Sequence, residues 1–222
     1  MSAYEEGALT VKVLLVGDSA TGAKTCLLDR FTKGTFTLFT YPTLGAVFDT
    51  QTLEVDGIQV KLGGLGFASG VSYLRKHTTF VTTHAHTDTA VHDRYLSLKP
   101  LHCRGANAIV FGFDVTDRRS FDGCDRWIDE LREHLNQDCV RVAVGNKIDL
   151  YDQRDISTEE AREHFESMEP PVPYFETSAK TGKGVNELFD SVARLVIKHH
   201  IEVTNNKNTD ENLAEEGKCI IC

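Results

Sequence analysis

Strand-like runs alternate with helix-like ones along most of this chain, and a glycine-rich turn joins the first strand to the first helix. "VKVLLVG" (11–17) is short, apolar and β-branched, and it predicts a buried strand ending in Gly. A helix is expected from residue 24 to 33. "AVFDTQTLEVDGIQVKL" (46–62) predicts two alternating strands about a "VDG" turn. Further strands are expected in "NAIVFGFDVT" (107–116), "VRVAVGNKIDL" (140–150) and "PYFETSAK" (173–180). Between and after them, "RSFDGCDRWIDELREHL" (119–135) has helical spacing at Phe121, Trp127, Ile128, Leu131 and Leu135. "STEEAREHFESM" (157–168) opens on a Ser-x-x-Glu capping box, and "GVNELFDSVARLVIKHHI" (184–201) is amphipathic. This order constrains the chain to an α/β fold, a mostly parallel sheet covered by helices on both faces.

Two segments break the pattern. Residues 63–87 are rich in Gly, Ser, Thr and His without clean periodicity, and residues 202–222 are polar and acidic, expected as a disordered tail. A net charge of −9 argues against non-specific nucleic-acid binding, since phosphates would be repelled. The N-terminus lacks a secretory pattern, so the six cysteines are read as reduced, in a cytosolic chain. No stretch reaches the length of a transmembrane helix.

The turn "GDSATGAKT" comprises Gly17, Asp18, Ser19, Ala20, Thr21, Gly22, Ala23, Lys24 and Thr25, followed by Cys26. It approximates the phosphate-cradling pattern G-x-x-x-x-G-K-[ST], with Ala23 as one residue too many. Backbone N–H groups at such a turn can hold phosphates, aided by the dipole of the helix. Lys24 would reach the β- and γ-phosphates, and Thr25 would offer a hydroxyl to Mg²⁺. A ligand-free strand–helix turn is the competing reading of this motif alone. "NKID" (146–149) at the end of a strand removes that competitor. The Asp149 carboxylate can accept from both N1–H and the exocyclic amine of guanine, a pair of donors that adenine lacks. In "ETSAK" (176–180), the Ala179 amide could bond guanine O6.

On these motifs the chain resembles the small GTPases, and specifically the Rab branch, over residues 8–201. "LGAVF" (44–48), "RYLSLK" (94–99), "CRGA" (103–106) and "FGFDVT" (111–116) sit where Rab signatures are expected. "TKGTF" (32–36) and "TLGAVFDTQTL" (43–53) look most like the endocytic, early-endosome subgroup. The resemblance implies a P-loop fold with a six-stranded sheet, binding of GTP, GDP and Mg²⁺, and GTP hydrolysis in the service of vesicle traffic. It implies that Phe36 packs on the guanine ring, that Thr43 supplies a switch I hydroxyl to Mg²⁺, and that Asp88 is the carboxylate behind the ion. Asn146, Lys147 and Asp149 would read or flank the base, with Ser178, Ala179 and Lys180 closing the site. Implied partners are an exchange factor, a GTPase-activating protein, an escort protein or GDP-dissociation inhibitor, and effectors.

The sequence departs from the family between the interior strand and switch II. W-D-T-A-G-Q-E should follow soon after "KL", yet Asp88 lies 26 positions beyond Leu62, so about 22 residues are extra. The Trp is absent and the motif reads "DTAVHDRY". Val91 replaces the Gly whose amide meets the γ-phosphate, and a β-branched residue narrows the backbone's range there. His92 replaces the Gln that orients the attacking water, so intrinsic hydrolysis is expected to be weak. Phe48 fits the first member of the effector-reading aromatic triad, the Trp is missing, and His102 takes the Tyr position. Three readings of residues 63–87 compete: a surface loop in switch II, a metal site using His77, His84, His86, Asp88 and His92, or read-through of a non-coding segment in the gene model.

The terminal "CIIC" offers Cys219 as a lipid acceptor and Cys222 as a second, which would place the protein peripherally on the cytosolic face of endosomal or other intracellular membranes. The leading expectation is a Rab-like GTPase regulating traffic. The alternatives are a GTP-binding module that hardly hydrolyses, or a defective product that binds nothing tightly.

Overall fold

The structure is a computed structural model that describes residues 9–18, 21–37, 46–67, 103–136 and 138–216. Its elements in chain order are β1 (Leu9–Val16), α1 (Thr25–Lys33), β2 (Ala46–Val55), β3 (Ile58–Phe67), β4 (Ala108–Asp114) and α2 (Arg118–Arg132). They continue with β5 (Val140–Asn146), a 3₁₀ turn (Tyr151–Gln153), α3 (Thr158–Glu166), β6 (Tyr174–Glu176) and α4 (Val185–Glu216). The six strands form one sheet in the order β2-β3-β1-β4-β5-β6. Only the β2–β3 pair is antiparallel. Its turn places Asp56 and Gly57 at positive φ, 51° and 79°, as a tight Asp-Gly hairpin requires.

The alternation along each interior strand decides which layer covers it. Val11, Val13 and Leu15 of β1, Val110 of β4 and Val142 and Val144 of β5 face α1 and α4, where Leu27, Leu188, Phe189 and Val192 are buried. Leu14, Val16, Ile109, Phe111 and Phe113 face α2 and α3, burying Phe121, Trp127, Leu131 and Phe165. Each such large side chain contributes about 1.5–3 kcal/mol by leaving water. The capping box opening α3 is half-made: Ser157 Oγ accepts from the Glu160 amide at 3.0 Å, while the Glu160 carboxylate is taken by Arg118.

Two expectations need correction. Residues 63–67, expected to be irregular, continue β3; Gly63 to Gly66 pair with both neighbours, Gly64 with Val13 and with Asp49, and Phe67 pairs with β2. Pairing on both edges overrides the poor strand preference of Gly. Bare backbone is also what the packing demands: a Cβ on Gly64 would lie 2.3 Å from Leu28 Cδ1, and one on Gly63 3.0 Å from the Phe48 ring. At the other end, α4 does not stop near 201 but runs to Glu216. No Gly or Pro interrupts the sequence from 185 to 216, and Lys198–Glu202 and Thr204 Oγ1–His200 O contacts lie beyond the packed face.

The sheet also clamps the glycine-rich turn. A Cβ on Gly112, in the middle of β4, would stand 2.3 Å from Ala23 Cβ. Replacing Gly112 by Ala is expected to destabilise the protein by about 1–3 kcal/mol through overpacking. A lowered urea midpoint at unchanged slope would show it; an unchanged midpoint would mean that the turn yields freely.

Candidate nucleotide-binding site

The turn between β1 and α1 closes on itself through Lys24. Its ammonium donates to the carbonyls of Gly17 at 2.9 Å and Asp18 at 2.5 Å and is largely buried. The supernumerary residue does not displace it. Helix α1 is registered by buried Leu27 and Leu28 and by Phe31, which stacks on Phe189 of α4 with centroids 4.0 Å apart. Thr25 therefore opens the helix with Lys24 just before it. Gly22 adopts φ 67°, and the Thr21 hydroxyl accepts from the Ala23 amide and donates to the Asp18 carbonyl. No acidic residue occupies the first turn of α1, where the positive end of its dipole lies. Asp18 is committed elsewhere, its Oδ1 accepting from Arg126 Nη2 at 2.9 Å and Trp127 Nε1 at 3.0 Å on α2.

Burial pushes the Lys24 ammonium down to about 8, an effect that the nearby Asp18 carboxylate partly opposes. Because the folded value lies below the unfolded 10.5, the unfolded chain binds more protons between pH 8 and 10.5, and this group makes stability rise with pH across that window. The full rise is about 3 kcal/mol at ~1.4 kcal/mol per pH unit of displacement. Urea unfolding of the nucleotide-free protein from pH 7.5 to 10, compared with Lys24→Met, is expected to show that rise in the wild type only. Parallel profiles would show that the buried charge carries no such cost.

A second cluster forms where β5 and β6 end. Asn146 is buried and crosslinks three segments. Its Nδ2 donates to Thr21 O at 3.1 Å, and its Oδ1 accepts from the Ala179 amide at 3.1 Å and from Thr177 Oγ1 at 3.3 Å. Lys147 sits at φ 68°, unusual for a residue with a side chain, and its Nζ pairs with Asp114 Oδ2 at 2.5 Å. Asp149 Oδ1 accepts from Ser178 Oγ at 2.6 Å, while Oδ2 lies 3.8 Å from Lys180 Nζ. The Ala179 amide, expected to meet guanine O6, donates here to Asn146. Phe36 is half-buried against the α1–α4 core.

The structure thus brings together Gly17, Asp18, Thr21, Gly22, Ala23, Lys24, Thr25, Asn146, Lys147, Asp149, Ser178, Ala179 and Lys180 at the carboxyl ends of β1, β5 and β6, the side on which such sheets bind ligands. Ser19, Ala20, Thr43, Asp88, Val91, His92, Cys219 and Cys222 lie outside the described residues, as do the histidines of 77–86. Among the described residues no three potential metal ligands cluster, and no helix is long and apolar enough to cross a membrane.

Three supporting groups escaped the sequence reading. Asp114, at the end of β4, accepts from Thr116 N and Oγ1 through one oxygen and holds Lys147 through the other. Glu176, just before "TSAK", is gripped by Arg154 at 2.7 Å, Thr158 at 2.8 Å and Tyr174 at 3.0 Å, and these donors hold its carboxyl below the usual range against the effect of burial. Arg30 on α1 reaches the backbone of the Ala179–Lys180 loop. A carboxylate at a strand end signals the first two; nothing local signals the third.

The sequence profile of the Ras family matches residues 12–81 and 70–198. The chain belongs to the Ras family. Among similar proteins, GTP-binding protein ypt2 of Schizosaccharomyces pombe is 32% identical over 207 residues, covering 93% of this chain and 91% of that one. Ras-related protein Rab-8B of Homo sapiens is 32% identical over 206 residues, 93% and 86% of the two chains. Ras-related protein RABF2b of Arabidopsis thaliana is 35% identical over 194 residues, 87% and 84%. This Ras-family protein is therefore a Rab-type small GTPase: GTP, GDP and Mg²⁺ are the ligands of the family, hydrolysis of GTP its reaction, and regulation of vesicle traffic its general role. Exchange factors, GTPase-activating proteins, GDP-dissociation inhibitors and effectors are its general kinds of partner.

Proposed function

We propose that this small GTPase holds its nucleotide through the two clusters described, hydrolyses GTP slowly, and acts in endocytic traffic. The observation that carries the site is the Asn146 side chain, which ties the phosphate turn at Thr21 to the base loop at Ala179. A ligand spanning both clusters has phosphates at one end and a base at the other. In this reading Lys24 and the amides of residues 17–26 hold the phosphates, and Asp149 with the Ala179 amide reads the base. Thr25 and Thr43 would hold Mg²⁺ with Asp88 behind it. Thr25, at the start of α1 beside Lys24, is suitably placed for that, and the ion when bound offsets charge on the phosphates. Reading O6 asks the Ala179 amide to share or exchange its bond to Asn146.

The endocytic assignment rests on "TKGTF" and "TLGAVFDTQTL". Membrane attachment would use prenyl groups on Cys219 and Cys222, both favourable because one chain anchors only marginally and this tail is acidic. The family match falls into two pieces that meet at 70–81, inside the segment read as an insert ahead of switch II, which supports an interruption there. Val91 and His92 favour a second reading, a switch that binds GTP and leaves its hydrolysis to partners or to none. Freshly purified protein, denatured and analysed by chromatography, is expected to release close to one guanine nucleotide per chain. A sample free of guanine nucleotide and unable to take up GDP would defeat both readings.

A further inference from the structure

The Arg30 guanidinium spends its donors on three backbone carbonyls. Nε donates to Ala179 O at 2.7 Å, Nη2 to Lys180 O at 2.7 Å, and Nη1 to Gly34 O at 2.6 Å. The first two lie on the loop whose Ala179 amide and Ser178 hydroxyl border the proposed base pocket. The third is the cap of α1, where Gly34 turns the chain at φ 67° toward Phe36. Helix α1 itself begins at Lys24 and Thr25, so one half-buried side chain fastens the phosphate helix, the base loop and the segment bearing Phe36 to one another. A planar fork fixes direction as well as distance, which a flexible ammonium does not. Arg30 also sits in the last turn of α1, where positive charge suits the helix dipole.

We propose that Arg30 is a positioning residue for base recognition: it sets the height of the Ala179–Lys180 loop and the approach of Phe36, and thereby the discrimination of guanine from adenine. This rests on the guanine-site reading given above. An adenine 6-amine meets the Ala179 N–H donor to donor, so the penalty against adenine depends on that amide being held in place. A loosened loop would let the amide retreat, and it would also weaken the grip on guanine.

The test compares GDP and ADP binding to the full-length chain as wild type, Arg30→Met, Arg30→Lys and Phe189→Leu. The last removes the ring stacked on Phe31 and destabilises the same helix while leaving the Arg30 side chain and its three carbonyl acceptors in place. The ratio of GDP to ADP affinity is expected to fall about tenfold in Arg30→Met and several-fold in Arg30→Lys, with faster GDP release. In Phe189→Leu the melting midpoint should fall while the ratio stays that of the wild type. A wild-type ratio in Arg30→Met overturns the proposal, as does an equal loss in Phe189→Leu. If Arg30→Met is insoluble, a wild-type ratio in Arg30→Lys overturns it alone. A wild-type protein that does not prefer GDP to ADP sinks the guanine-site reading itself, a result separate from any failure at Arg30.

Discussion

Asp149→Asn is expected to weaken GDP binding by roughly 10²–10³-fold, the loss of two charge-assisted hydrogen bonds. The carboxylate is already oriented for its task. Ser178 Oγ, itself accepting from the Thr181 amide, donates to Asp149 Oδ1 at 2.6 Å. Asn can keep its carbonyl on Ser178, and its NH₂ then confronts the donors of guanine. The same NH₂ would suit a base with a carbonyl in place of the 2-amine, so xanthosine diphosphate should gain on the variant while GDP loses. Equilibrium titration with the two diphosphates checks both directions at once. An undiminished GDP affinity would mean that Asp149 does not read the base and that the second cluster serves only the fold.

The double substitution Val91→Gly with His92→Gln is expected to raise single-turnover GTP hydrolysis about 10²-fold, roughly 2.7 kcal/mol of barrier. Phosphoryl transfer asks the protein mainly for positioning and for charge at the γ-phosphate. Glycine restores the backbone freedom that lets an amide approach that phosphate, and Gln restores a neutral side chain that can both donate to and accept from the attacking water. The single changes should each give less than the pair, because a positioned water without the amide, or the reverse, completes only half of the arrangement. Rates measured by quench on preloaded protein would decide. If the wild type already turns over like the double variant, His92 performs the positioning and hydrolysis is not impaired.

The α/β order and the base motifs were legible because their signals are local. Alternating apolar residues mark β1, β4 and β5, and "NKID" and "ETSAK" each place several site residues within a few positions. Arg30 was illegible because its partners lie 149 and 150 positions away and are carbonyls, which carry no residue identity. The run "GGLGF" was misread as irregular because glycines advertise weak strands, whereas pairing between β1 and β2 supplies what their side chains do not. The end of α4 was misplaced because polarity stood in for loss of helix, although nothing from 185 to 216 breaks one. The extra residue at Ala23 looked like damage to the phosphate turn; the packing of Leu27, Leu28 and Phe31 fixes the register from the helix side and leaves Lys24 on the Gly17 carbonyl.

The bond from Trp127 to Asp18 has a practical consequence. This chain contains a single tryptophan, and its indole N–H is fastened to the second residue of the phosphate turn. A movement of that turn that carried Asp18 away would take the acceptor from this one indole, with no other indole to dilute the change. Nucleotide loading and release are therefore expected to register in the intrinsic emission, without a label.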